Sequence, residues 1–136
     1  MKKISLIISF LLFGNFIYSQ NEDGFEYIGD SDDGTKYFVK IEKMNFNSKD
    51  TWLKWVEPTK TVKNKKGKYI KRGGGHTLIA IKFYCEDRKY ESTDCYVYDR
   101  NGNLKSHIDM SAFRDKYEER VIPGTHIESV FNYVCE

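Results

Sequence analysis

The residues of this chain that could do chemistry fall into four groups. Cys85, Cys95 and Cys135 could form one disulfide and leave one thiol. His76, His107 and His126 are the possible bases or nitrogen ligands. Asp30-Ser-Asp-Asp-Gly34 crowds carboxylates in a way that superficially resembles a calcium loop. Lys63, Lys65, Lys66, Lys68, Lys71 and Arg72, preceded by Lys60, crowd one central stretch and could attract anions.

Catalysis needs these groups in defined pairs, and the pairs are missing. The histidines are far apart, with no His-Glu-x-x-His, and no serine sits in Gly-x-Ser-x-Gly. Glu118 and Glu119 are adjacent, so on a helix or strand they point apart. No sequence signature places a base beside Cys95. A non-enzymatic protein is expected. The acidic turn fails as a calcium loop: Gly34 stands where the third acidic ligand belongs, and no glutamate closes the loop. It reads as a hairpin turn, and no metal or cofactor is expected. Gly73-Gly-Gly-His76 could cradle an anion, but no strand is expected before it and no helix after it. A flexible exit from the basic stretch is the expected role.

Charge and the N-terminus bound the setting. Lys2 and Lys3, an apolar run over residues 4–13 and Ile17-Tyr-Ser19 before Gln20 have the layout of a cleavable signal peptide over 1–19. The apolar run is too short to span a membrane, and no later stretch could, so no transmembrane segment is expected beyond the leader. The whole chain has 22 basic and 20 acidic residues; setting aside Lys2 and Lys3 leaves the remainder formally neutral. Nucleic-acid binding rests on net positive surface, so no nucleic-acid partner is expected. Residues 20–136, about 117 of them, suffice for one domain.

The elements that must position these groups are mostly strands. Residues 25–29 read as a short strand, and Asp33-Gly34 is a hairpin signal. Tyr37, Val39 and Ile41 alternate with Lys36, Phe38, Lys40 and Glu42 in a half-buried second strand. Residues 45–50 turn, and 51–57 form a third strand stopped by Pro58. Its Trp52 and Trp55 project to opposite faces. The basic stretch over 60–72 reads as a solvated loop, or as a surface for a matrix protein, a polysaccharide or lipid headgroups. Residues 78–84 are the candidate central strand, 86–89 turn, and 90–99 return antiparallel. Asn101-Gly102 is a two-residue turn signal into a strand over 104–110. Residues 109–119 are open between loop and short helix. Thr125 and Glu128 predict a reciprocal capping box. Ile127, Val130, Phe131 and Val134 then form one apolar stripe of a terminal helix. The fold class expected is α+β: an antiparallel β-meander with the helix packed on it.

With the hairpin turning at Asp87-Arg88, Cys85 lies opposite Tyr90 and shares a face with even-numbered positions of the return strand. Cys95 then falls on the other face. On that register Cys85 pairs with Cys135 and Cys95 is the odd thiol, either a buried apolar filler or an intermolecular partner.

Phe25-Glu-Tyr-Ile-Gly-Asp-Ser-Asp-Asp-Gly-Thr-Lys-Tyr37, Trp52-Leu-Lys54, Phe83-Tyr-Cys85, Tyr98-Asp-Arg-Asn-Gly102, Ile122-Pro-Gly-Thr125 and the ending Val134-Cys135 occur in this order. The set resembles the surface-adhesin protein E-like family of small exported bacterial proteins. The resemblance implies an antiparallel sheet carrying a terminal helix, a Cys85–Cys135 disulfide and a role at the cell surface. The chain differs from that pattern in Lys40, where an acidic residue is usual, and in lacking a lipid-accepting cysteine.

Together these features predict an exported binding protein. Its partner is expected to be a protein or anionic glycan in the envelope or outside the cell. The contacts are expected from Lys63, Lys65, Lys66, Lys68, Lys71, Arg72 and the sheet face. The alternative is a secreted or periplasmic inhibitor or immunity-type protein that blocks one enzyme. A structural envelope protein is a third reading.

Overall fold

Three turns of the chain are built alike, and each closes a hairpin of neighbouring antiparallel strands. Ser31-Asp-Asp-Gly-Thr35, Asn64-Lys-Lys-Gly-Lys68 and Asp99-Arg-Asn-Gly-Asn103 each place a polar residue first and glycine fourth. In each, the glycine N–H donates to the first carbonyl at 2.9, 2.9 and 3.1 Å. The first N–H donates to the fifth carbonyl at 2.9, 2.8 and 2.9 Å. The glycines lie at φ +88°, +77° and +82°, where a Cβ would be strained. Asn64 Oδ1 accepts from the N–H groups of Lys66 and Lys68, and Asp99 Oδ1 from those of Asn101 and Asn103. The turn expected at Asn101-Gly102 alone is thus a five-residue loop, because Asp99 and Asn103 are held out of the ladder.

The computed structural model of the chain describes residues 23–110 and 118–136. The leader expected over 1–19, and most of the stretch left open over 109–119, lie outside the described residues. In chain order the elements are β1 (Glu26–Asp30), β2 (Lys36–Met44), β3 (Ser48–Val56), β4 (Lys60–Lys63), β5 (Tyr69–Arg72), β6 (His76–Tyr84), β7 (Lys89–Tyr98), β8 (Leu104–Asp109), β9 (Glu119–Arg120) and α1 (His126–Cys135). The main sheet runs β1-β2-β3-β6-β7-β8, every pair antiparallel. The architecture is the expected α+β meander with a C-terminal helix. Residues 48–50, expected to turn, open β3 instead, and two further elements differ from expectation. The basic stretch is not an open loop but the separate β4–β5 hairpin, inserted between β3 and β6. Part of the ambiguous stretch is β9, which pairs with Lys89 and Tyr90 of β7.

Alternation gives the sheet two unlike faces. Val39, Leu53, Ile81 and Phe83 share the inner face with α1, whose Val130, Phe131 and Val134 complete the core. Phe131 meets Phe83 edge to face at 5.9 Å. The Arg88 guanidinium lies 4.9 Å from the Phe131 ring centre and pairs with Glu128 at 3.3 Å. Thr125 caps α1 by accepting from the Glu128 N–H. The return half of the expected capping box is shifted by one residue: Glu128 Oε2 accepts from the Gly124 N–H at 2.8 Å.

Cys85 and Cys135 form the disulfide, with Cα atoms 5.5 Å apart. The pairing is as expected, but the register behind it is not. Cys85 sits in the turn after β6, and Phe83 rather than Cys85 opposes Tyr90. A bulge after Ser92 then shifts the phase of β7, so Cys95 opposes Ile79 and shares the inner face. Distance along the strand separates the thiols: Ile79 is six positions from Cys85, about 20 Å of strand. Burial raises the pKa of the Cys95 thiol.

Gly73-Gly-Gly75 is a crossing rather than a flexible exit. A Cβ at Gly73 would stand 2.3 Å from the Pro58 carbonyl oxygen, and one at Gly75 would stand 2.5 Å from that of Tyr98. The glycines let the chain leaving β5 pass against the ends of β3 and β7, which anchors the hairpin at its base.

Candidate functional site

Strand pairing sorts the cations of residues 60–72 onto two sides of the hairpin. Lys60 opposes Arg72, Val62 opposes Ile70, and Lys63 opposes Tyr69. Lys60, Val62 and Arg72 therefore share the side that faces the inner sheet surface. Lys63 and Lys71 point away from it, with Lys63 Nζ 5.9 Å from the Tyr69 ring centre. Lys65, Lys66 and Lys68 stand at or beside the tip. All seven cations are exposed, and none has a carboxylate within 4 Å among the described residues. The expected contact residues are thus brought onto one hairpin but not onto one surface, because Arg72 faces inward.

The outer face of the sheet carries an aromatic stripe. Tyr96 stacks on His107 at 4.2 Å and meets Trp52 at 6.1 Å, and Tyr98 stacks on His76 at 4.5 Å. Trp52 Nε1 donates to Glu42 at 3.0 Å. Lys40 and Lys54 both lie over the Phe25 ring. Trp52, Leu78, Tyr96 and Tyr98 floor a shallow groove of about 290 Å3. No described helix covers this face. Trp55, on the opposite face, packs against the core.

On the inner face the helix is shorter than the sheet. The nine-residue strands span about 30 Å, and the ten-residue helix only about 15 Å. Beyond α1, and before the hairpin, a cavity of about 680 Å3 remains. Leu53, Trp55, Ile79 and Ile81 line it from the sheet, and Ile127 and Val130 from the helix. Val62, Lys60 and Arg72 line it from the hairpin. These inner-face residues were not singled out from the sequence as a site. The available signal was the mismatch between strand length and helix length.

The histidines are spread over three places. His76 stacks on Tyr98, and burial, with Lys54 nearby, lowers its pKa. His107 faces Asp94 at 3.0 Å, and His126 stacks on Tyr37 at 5.1 Å. Among the described residues no group of three His, Cys, Asp or Glu side chains is placed to hold a metal ion. Asp33, in the first turn, accepts from Ser31 and Thr35, which hold its pKa at about 2. Tyr84 and Tyr90 are both pushed up to about 12, first by burial and then by hydrogen bonds to Glu91 and Glu119. Among the described residues no helix is long and apolar enough to cross a membrane. Comparison with protein-family models, curated proteins and solved structures found no match to this chain.

Proposed function

We propose that the chain is an exported, non-catalytic binding protein of surface-adhesin type, which contacts a protein or anionic glycan in the envelope or outside the cell. The observation that carries this reading is the β4–β5 hairpin. Seven exposed cations project from it, none within 4 Å of a carboxylate among the described residues, and residues 60–72 contain no acidic residue. Unpaired exposed cations attract anionic surfaces over about a Debye length, roughly 10 Å at 0.1 M salt and 3 Å at 1 M. A disulfide between Cys85 and Cys135 is compatible with an oxidising compartment. The resemblance to surface-adhesin protein E-like proteins supports the same reading.

The test is capture of partners from matrix and envelope extracts by the oxidised protein at low and high salt. Capture of matrix proteins or acidic glycans that is lost at high salt, and lost when Lys65, Lys66 and Lys68 become alanine, is the expected result. Capture unchanged by those substitutions would overturn the hairpin's role.

One observation favours a second reading, an inhibitor or immunity-type protein. The Trp52, Tyr96 and Tyr98 stripe supplies aromatic anchors of the kind that dominate tight interfaces. A single protein captured stoichiometrically, with salt-resistant binding lost in Trp52→Ala, would select this reading.

A further inference from the structure

The cavity on the inner face combines two chemistries that neither the sheet nor the hairpin has alone. Its floor is apolar, formed by Leu53, Trp55, Ile79 and Ile81. Its volume of about 680 Å3 falls within the range of small-molecule sites, roughly 300–1,000 Å3. Its hairpin wall carries Lys60 and Arg72 on the same side as Val62. The carboxylates at the rim are Asp33 and Glu57. Neither lies within 4 Å of a cationic nitrogen among the described residues, and at longer range Lys60 helps to lower the Asp33 pKa. Asp33 already accepts hydrogen bonds from Ser31 and Thr35.

We propose that this cavity binds one small amphiphile, with its apolar tail on the Trp55 and Ile79 floor and its anionic head between Lys60 and Arg72. Charge complementarity decides the sign of the head. Of the hairpin's seven cations, Lys60 and Arg72 line the cavity, and residues 60–72 contain no acid, so the hairpin wall itself is positive. The two rim carboxylates repel an anionic head toward the cations. Arg72 and Lys60 are opposed in the ladder, so a carboxylate, sulfate or phosphate can be gripped from both sides. The tail displaces water from apolar surface, which supplies the non-directional part of the affinity. This site is separate from the outward lysines and the aromatic stripe, so it stands or falls independently of the proposed macromolecular contact.

Trp55 is a built-in reporter, and Trp52→Phe leaves it as the sole tryptophan. The test is titration of the oxidised Trp52→Phe protein with dodecanoate below its micelle concentration, followed by Trp55 emission. A saturable, stoichiometric change is expected. It should weaken about tenfold with dodecanol or in Lys60→Ala/Arg72→Ala, as loss of a charge-assisted contact implies. It should be unchanged in Lys65→Ala/Lys66→Ala/Lys68→Ala. Ser92→Phe, which places a ring into the cavity, should abolish it with the circular dichroism unaltered; if that variant does not fold, the Lys60/Arg72 pair carries the test. No saturable change, equal binding of dodecylammonium, or an undiminished response in Lys60→Ala/Arg72→Ala would overturn the proposal. Co-sedimentation with phosphatidylglycerol vesicles without any response to free dodecanoate would overturn it too, since the anion would then be a membrane surface.

Discussion

At one end of the inner face, Phe83, Phe131 and Val134 are each no more than 4% exposed, and the Cys85–Cys135 bridge locks the helix onto them. At the other end, Ile79 and Trp55, on the same strands and the same face, border a cavity of about 680 Å3. The strands do not differ between the two ends; the cover does. A ten-residue helix closes one half, and a hairpin anchored at its base stands over the other. Packing density is what makes a core stable, and a gap forfeits those contacts. The closed half should therefore carry stability, and the open half should be where change is tolerated.

The largest effect should come from the lock itself. Replacing Cys85 and Cys135 together by serine removes closure of a separation of 50 residues, and should cost about 4 kcal/mol on the chain-entropy model. Denaturant unfolding of the variant measures it. A loss well below 1 kcal/mol would mean that α1 holds the face without the bond. The sharper comparison is between two truncations. Val134→Ala removes a side chain 1% exposed and ringed by core, and should cost about 2 kcal/mol as transfer loss plus an unrelaxed void. Ile79→Ala removes more carbon, yet from beside an existing cavity, and should cost about 1 kcal/mol or less. If Ile79→Ala proves the costlier, the open half is as tightly packed as the closed one and the contrast collapses. Thr125→Ala deletes the acceptor that caps α1, and should cost about 1 kcal/mol. Unfolding midpoints for the three variants rank the effects.

How much of this could be read in the chain follows the same division. The closed half rests on local signals. The Ile127, Val130, Phe131, Val134 stripe and Thr125 predict α1, and alternation in Tyr37, Val39 and Ile41 predicts β2. The open half rests on signals the sequence carries weakly. β4 and β5 have four residues each and are rich in lysine, with only Thr61, Val62, Tyr69 and Ile70 to suggest strands. β9 has two residues, below any periodicity. The bulge that returns Cys95 to the inner face leaves no mark at Thr93, so counting odd and even positions failed there. The cavity depends on where a non-local hairpin lands, and no window of the sequence contains that.

The smallest effect tests the outer face, and its sign is fixed. His76 stacks on Tyr98 at 4.5 Å, and burial, with Lys54 adding repulsion, holds its pKa below the ordinary imidazole value. The unfolded chain therefore binds the proton more readily than the fold does. The contribution of neutral His76 is fully present above the unfolded value and is lost as pH falls through the folded one. Subtracting the stability of His76→Phe from that of the unmodified protein across this window isolates the effect from His107 and His126. The difference should rise with pH and flatten above the ordinary imidazole range. A difference that instead falls with pH would mean that the fold favours the imidazolium. Tyr98 would then act as a cation–π acceptor, and the outer stripe would itself be a site for cations, unlike the inner cavity with Lys60 and Arg72 on its hairpin wall.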